Sequence, residues 1–231
     1  MKFGVVVFPG SNCDNDIIYV LKNIMNQDVV KLWHKESDLK GCNFIILPGG
    51  FSFGDYLRSG SIANYSPIMK EIVDYANSGG YVLGICNGFQ ILCESQLLPG
   101  ALLHNLSHKF ICKNTFLKII TKKSIITNIN SDRALKIPIA HGEGRYYVNN
   151  DVLDEMNKND QILFKYCDEN SNVNLESNPN GSLHNIAGIC NQNRNVFGMM
   201  PHPERASDRS LNNEDGMLLF KSILNSVNLN C

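Results

Sequence analysis

The chain has 231 residues, 43% of them hydrophobic and 19% charged, with 21 basic against 22 acidic side chains. That composition is globular rather than disordered, and a net charge of −1 supplies neither the basic stripe of a nucleic-acid binder nor an attraction to anionic membranes. No apolar run approaches the roughly 20 residues that span a bilayer.

The apolar stretch 3–8 is cut by Pro9-Gly10, so it reads as a buried strand rather than a secretion signal. Ser11 or Asn12 can cap a helix running to Met25, with Ile17, Val20 or Leu21, and Ile24 at helical spacing. Strands are predicted at 29–33 and 44–47, the latter ending at Pro48-Gly49-Gly50. Ser66-Pro67 opens a helix with Ile68, Ile72, Val73 and Ala76 on one face, stopped at 78–80. A strand at 81–85 and a helix at 87–95 follow. Further on, 116–120, 125–129, 136–140, 161–166, 185–190 and 196–199 read as strands, several joined by short loops that imply antiparallel pairing. A closing helix over 213–227 carries Met217, Phe220, Leu224 and Val227 as its buried stripe. The alternation predicts one α/β domain over 1–231. Its architecture is three-layered, a mostly parallel central sheet with helices on both faces and some antiparallel strands in the second half.

Eight cysteines are scattered without a C-x-x-C pair, the pattern of free thiols in a reducing, cytoplasmic compartment. One stands apart. Gly84-Ile85-Cys86-Asn87-Gly88 is G-x-C-x-G between an apolar strand and a helix, the setting of a nucleophile elbow. Glycines two residues either side permit the strained turn, and the helix end lowers a thiol's pKa. The other seven, Cys13 included, read as structural. After the strand at 196–199 comes Met200-Pro201-His202-Pro203-Glu204-Arg205. Each residue before a proline is pushed to extended backbone, where side chains two apart face the same way, so Glu204 can orient the His202 imidazole toward Cys86. The amide of Asn87 and one from Pro48-Gly49-Gly50-Phe51 are candidate oxyanion donors. His141-Gly142-Glu143-Gly144-Arg145 is a polar loop suited to a substrate pocket. His104 and His108 sit four apart, but the surrounding Pro99-Gly100 and Leu102-Leu103 argue for a loop, and no metal is expected. The chain has no P-loop and no dinucleotide-binding glycine motif, and His202-x-Glu204 lacks the P-C-x-x-C of zinc deaminases. The 30 asparagines are an excess without a functional reading.

The elbow Gly84 to Gln90 with His202-x-Glu204 resembles the class I (triad) glutamine amidotransferases, a flavodoxin-like fold family. The stretches FPGSNCD from Phe8, PGGFSFGDYLR from Pro48, LPGAL from Leu98, HGEGR from His141, NPNGS from Asn178 and NVFGMMPHPER from Asn195 narrow the resemblance. They are similar to the glutaminase subunits of phosphoribosylformylglycinamidine synthases, and the Asn- and Lys-rich region 113–132 matches least. The resemblance implies that Cys86 attacks the side-chain amide of L-glutamine, His202 transfers protons and Glu204 orients His202. It implies an oxyanion hole from the amides of Gly50 and Asn87, with Gly49 a competitor for the first position. Gly49, Phe51, Gln90, His141, Gly142 and Glu143 would then border the glutamine. It further implies a separate synthetase subunit, holding ATP and Mg and receiving the ammonia, and a small accessory subunit. This chain would need no cofactor. Two other readings stay open on the residues: a cysteine hydrolase of the peptidase or deglycase kind, and a flavodoxin-like binding module without activity.

Overall fold

The computed structural model describes residues 1–228. The first half forms β1 (Lys2–Val7), α1 (Asp14–Tyr19), β2 (Asp28–Trp33), β3 (Phe44–Leu47), α2 (Pro67–Asn77), β4 (Tyr81–Ile85) and α3 (Asn87–Glu94). The second adds β5 (Ala101–Leu103), β6 (Ile111–Ile119), β7 (Leu135–His141), β8 (Arg145–Tyr147) and α4 (Asn150–Lys158). It ends with β9 (Ile162–Cys167), β10 (Ile186–Cys190), β11 (Val196–Met199) and α5 (Met217–Asn228).

Nine strands make one sheet in the order β2-β1-β3-β4-β11-β10-β9-β6-β7, and β5 and β8 form a separate pair. The pairings from β2 through β11 are parallel, and those from β11 through β7 are antiparallel. The mixed sheet expected from the sequence is therefore split cleanly, with its parallel half built mainly by the start of the chain. Every residue of β3 and β11 is buried, as befits parallel strands covered on both faces. From β1 the chain moves outward to β2, whereas from β3 it moves the other way to β4. Right-handed crossovers then put α1 and α2 on opposite faces. Phe3, Phe44, Phe89, Phe164, Phe197 and Phe220 are among the largest fully buried side chains of the core between the layers.

Four local expectations need correction. The first helix is α-helical only to Tyr19 and then widens into a π-type turn over Val20–Ile24. Residues 125–129 are not a strand: Thr127 N–H bonds back to Ser124 and Ile129 N–H to Thr127, so the run turns and buries Ile126 and Ile129 without joining a ladder. The helix α4 replaces an unassigned stretch; Asn149 caps it by accepting from the Val152 amide at 2.9 Å. The closing helix begins at Met217 rather than 213, because Asn213 bridges to Asp208 and holds the chain in a turn. Its fully buried apolar residues are Leu219, Phe220 and Ile223, while the Val227 side chain lies outside the described residues.

Candidate active site

Parallel strands finish at one edge of a sheet, and a point where the chain reverses its direction along the sheet leaves a crevice there. The order β1-β3-β4-β11 makes neighbours of four segments far apart in sequence. The loop after β1 carries Cys13, that after β3 carries Gly49 and Gly50, β4 leads into Cys86 and β11 into His202. Backbone bonds stitch the first two loops together: Phe51 N–H donates to Gly10 at 3.1 Å and Cys13 N–H to Gly49 at 3.4 Å.

Cys86 has φ 51° and ψ −106°, a backbone state rare for a residue with a side chain. Close packing enforces it. A Cβ on Gly84 would lie 2.5 Å from the carbonyl carbon of Gly88, and one on Gly88 would lie 1.9 Å from the Leu47 carbonyl oxygen. Only glycines let β3, β4 and α3 approach so closely. Cys86 N–H donates to Met199 at 2.8 Å, tying the turn to β11, and α3 starts at the next residue. The sulfur thus stands beside free amides and the positive end of a helix.

His202 Nδ1 donates to Glu204 Oε1 at 2.6 Å, with both side chains almost wholly buried. The expected extended backbone is replaced here: Pro203–Ala206 winds into a short 3-10 turn with His202 at its N-cap, and that turn, rather than strand alternation, brings the Glu204 carboxylate back to the ring. Burial works against an imidazolium at His202, but the Glu204 carboxylate and then Cys86 outweigh it and raise the ring well above its ordinary value. The ring's Nε2 is buried with no hydrogen-bond partner, which leaves that nitrogen available for proton transfer. A Cβ placed on Gly49 would touch His202 Cε1 at 2.6 Å, Cys13 Sγ at 3.2 Å and Cys86 Cβ at 3.3 Å. The His202 ring, Cys13 and Cys86 therefore close in on Gly49 and leave no room there for a side chain.

Cys13 is more than the structural thiol expected from the sequence. A Cys13 Sγ, a His202 nitrogen and a Glu204 oxygen lie within 4.8 Å of one another, the one potential metal-ligand group among the described residues. Arg205 Nη2 donates to Cys13 Sγ at 3.1 Å, however, and Glu204 commits Oε1 to His202, leaving only Oε2 without a hydrogen-bond partner. A guanidinium against the sulfur disfavours a cation there.

A cleft of about 170 Å³ opens over Cys86. Gly50, Phe51, Gln90, His141, Gly142 and Glu143 line it, in line with their sequence assignment. Gly49 does not, because it is packed against the His202 ring, Cys13 and Cys86; Gly50, with φ 132°, takes the position on the cleft. Asn87 is buried with its side chain turned inward, where Nδ2 donates to Gln90 Oε1 at 2.9 Å and Oδ1 accepts from the Ser52 amide. Gln90 Nε2 in turn donates to the Glu143 carbonyl at 2.6 Å, fastening the 141–144 loop to α3. His141 sits below that loop, Nδ1 donating to Asn105 Oδ1 at 3.0 Å and Nε2 facing the Asn180 amide. Burial, followed by the charge of His202, lowers its pKa to about 4, so it stays neutral.

Asp55, Ser59, His104, Phe110 and Ala140 also line the cleft and were not anticipated. Asp55 lies within the PGGFSFGDYLR stretch and Ser59 directly follows it, whereas Phe110 and Ala140 arrive only through the β6–β7 pairing. His104 and His108 lie outside any helix, and His104 Nδ1 is 3.4 Å from Glu143. A larger groove of about 510 Å³ between 113–116 and 167–177 holds no comparable grouping of thiol and imidazole.

The family model of the CobB/CobQ-like glutamine amidotransferase domain matches residues 1–221. The chain belongs to this family. It is 52% identical over 224 residues to the phosphoribosylformylglycinamidine synthase subunit PurQ of Chlorobaculum parvum, covering 96% of this chain and 89% of that one. It is 53% identical to the subunit of the same name from Aquifex aeolicus, over 97% and 99% of the two chains. A chain in the structure of PurLQS from Thermotoga maritima superposes with a TM-score of 0.85 at 42% identity, covering 98% of both. A putative GMP synthase subunit of Thermoplasma acidophilum shares the fold, with a TM-score of 0.63 at 13% identity. The glutamine amidotransferase architecture of the mixed sheet is thereby established, and no described helix is long and apolar enough to cross a membrane.

Proposed function

We propose that this chain is the glutaminase subunit of a phosphoribosylformylglycinamidine synthase, forming a single cytoplasmic domain over its 231 residues. The observation that carries the reading is Cys86, on its strained elbow at the wall of the cleft, backed by a buried imidazole that Glu204 holds at 2.6 Å. The relatives named above extend it from a reactive thiol to a specific amide. Cys86 Sγ, its proton held on His202 Nε2, attacks the side-chain carbonyl carbon of L-glutamine. The amides of Gly50 and Asn87 receive the developing oxyanion. His202 returns the proton to the departing nitrogen, and ammonia leaves a glutamyl thioester on Cys86. Water, deprotonated by the same nitrogen, cleaves the thioester to glutamate. Glu204 holds the ring in the tautomer with a proton on Nδ1 and stabilises the imidazolium.

The ammonia passes to a separate synthetase subunit, which uses ATP and Mg to convert formylglycinamide ribonucleotide to formylglycinamidine ribonucleotide; a small accessory subunit completes the assembly. The glutaminase chain uses no cofactor of its own. The segment Gly54 to Arg58 carries Tyr56 and Leu57, 74% and 93% exposed, directly beyond the cleft. It is suited to report the partner's state to the site. The test is glutamate release from glutamine by the chain alone and with both partner subunits. Slow release alone, faster release in the complex and loss of both in Cys86→Ala are expected. Equal kcat with and without partners overturns the coupling, and an active Cys86→Ala complex overturns the nucleophile.

A further inference from the structure

Asp55 presents a half-buried carboxylate on the wall of the cleft that holds Cys86. Asn87 Nδ2 donates to its Oδ1 at 3.3 Å, and the Ser59 hydroxyl donates to it as well. Asn87 directly follows the thiol in the chain, so Asp55 stands close to the reaction centre. The second carboxylate on the cleft is Glu143, which has His104 at 3.4 Å. Asp55 has no such relief. Arg58, three residues on, is turned to Glu94 at 2.5 Å, and among the described residues no basic side chain forms an ion pair with Asp55. Burial, together with the nearby charge of Glu143, holds its carboxyl up at about 6. A partly desolvated anion facing another anion is unfavourable unless a cation joins them.

Resting on the glutaminase reading, we propose that Asp55, supported by Glu143, binds the α-ammonium of glutamine and makes the cleft selective for an α-amino acid amide over a simple carboxamide. Two methylenes separate glutamine's carboxamide from its α-carbon. A substrate whose carbonyl sits at Cys86 therefore carries its ammonium only a short way along a cleft of about 170 Å³, where these two carboxylates stand. The hydrogen bonds from Asn87 and Ser59 fix Asp55 in place and leave it able to accept from the ligand. Asn87 also bonds Gln90, and Gln90 the Glu143 carbonyl. The same network therefore sets the spacing of both walls.

The experiment compares L-glutamine with 4-carbamoylbutanoate, which keeps the carboxamide and carboxylate but lacks the ammonium, using the assembled complex. The wild type should prefer glutamine by at least about 100-fold in kcat/KM, the discrimination expected where a built polar site loses its partner. Asp55→Asn, which retains both local hydrogen bonds, should lower that ratio by at least about 30-fold, through KM for glutamine more than kcat. A ratio unchanged in the variant makes Asp55 structural and overturns the proposal. A wild type that accepts both amides equally overturns it without any variant, whatever the folding of Asp55→Asn. A wild-type complex that hydrolyses neither amide refutes the glutaminase reading itself, a distinct outcome.

Discussion

Gly49→Ala is the sharpest test of how the thiol and imidazole are held. Gly49 is absent from the positive-φ positions, so alanine imposes no backbone strain there. Its methyl would fall 2.6 Å from His202 Cε1, against an ordinary carbon contact of 3.4–4 Å. The ring must yield by about 1 Å, and on the other side Cys13 Sγ at 3.2 Å and Cys86 Cβ at 3.3 Å leave little room to share the movement. Glu204, bonded at 2.6 Å, resists it. Misplacing a catalytic group by about 1 Å costs on the order of 100-fold in rate, while overpacking of this size costs about 1–3 kcal/mol of stability. We expect the variant to fold, to lose about 100-fold in kcat for glutamine in the assembled complex, and to show a lower urea midpoint. A folded variant with kcat within threefold of wild type would refute the claim that close packing on Gly49 sets the geometry.

Glu204→Gln should lower kcat by about 10³–10⁴-fold with little change in KM, because the imidazolium loses its buried counter-charge and its tautomer is no longer enforced; steady-state kinetics check it. The carboxyl of Asp55, at about 6 rather than 3.8, makes the folded chain bind a proton that the unfolded chain has released. Its contribution to stability is therefore present below about pH 4 and is lost as pH rises through about 6. Fully buried, that difference would be worth about 3 kcal/mol, but the half-exposed position reduces it to about 1 kcal/mol. Asp55→Asn should accordingly raise the free chain's Tm at pH 7.5 and flatten its pH dependence between 4 and 6, in a melting series across that range. Asn105 donates to the carbonyls of Lys109 and His141, both at 2.8 Å, and accepts from Gly144 N–H at 3.1 Å. Asn105→Ala should cost about 2–3 kcal/mol by leaving buried groups unpaired, and it should raise KM by loosening the 141–144 loop, as denaturation and kinetics can show.

The elements that the sequence disclosed best were those whose neighbours along the chain decide them. The β1, β3 and β4 runs are buried on both faces and need no partner to be recognised. The run at 125–129 is apolar for another reason than strand formation: Ile126 and Ile129 pack into the core from a turn. Helix α4 is hard to read because only Leu153 and Met156 are buried in it, too few for a clear stripe among its charged residues. Asparagine, an unexplained excess in the composition, acquires a use in the structure. Asn195 Nδ2 donates to the carbonyls of Ala76 and Gly80 at 2.7 and 2.8 Å, and Asn185 and Asn180 fasten other loops in the same manner.

The sequence by itself determined the two local pieces of chemistry, since each depends on residues a few positions apart. Gly84 and Gly88 are what allow Cys86 its φ of 51°, and Pro203, which opens the short turn after His202, brings Glu204 onto the imidazole. Tertiary structure alone decided what surrounds them. Placing β1 and β3 beside β4 and β11 brings Cys13 and Arg205 to the imidazole, packs Gly49 against the ring and Cys86, and turns Asp55 toward Glu143 across the cleft. Residues up to 192 positions apart meet there, and no local pattern encodes such a meeting, because it follows from the lateral order in which strands join the sheet.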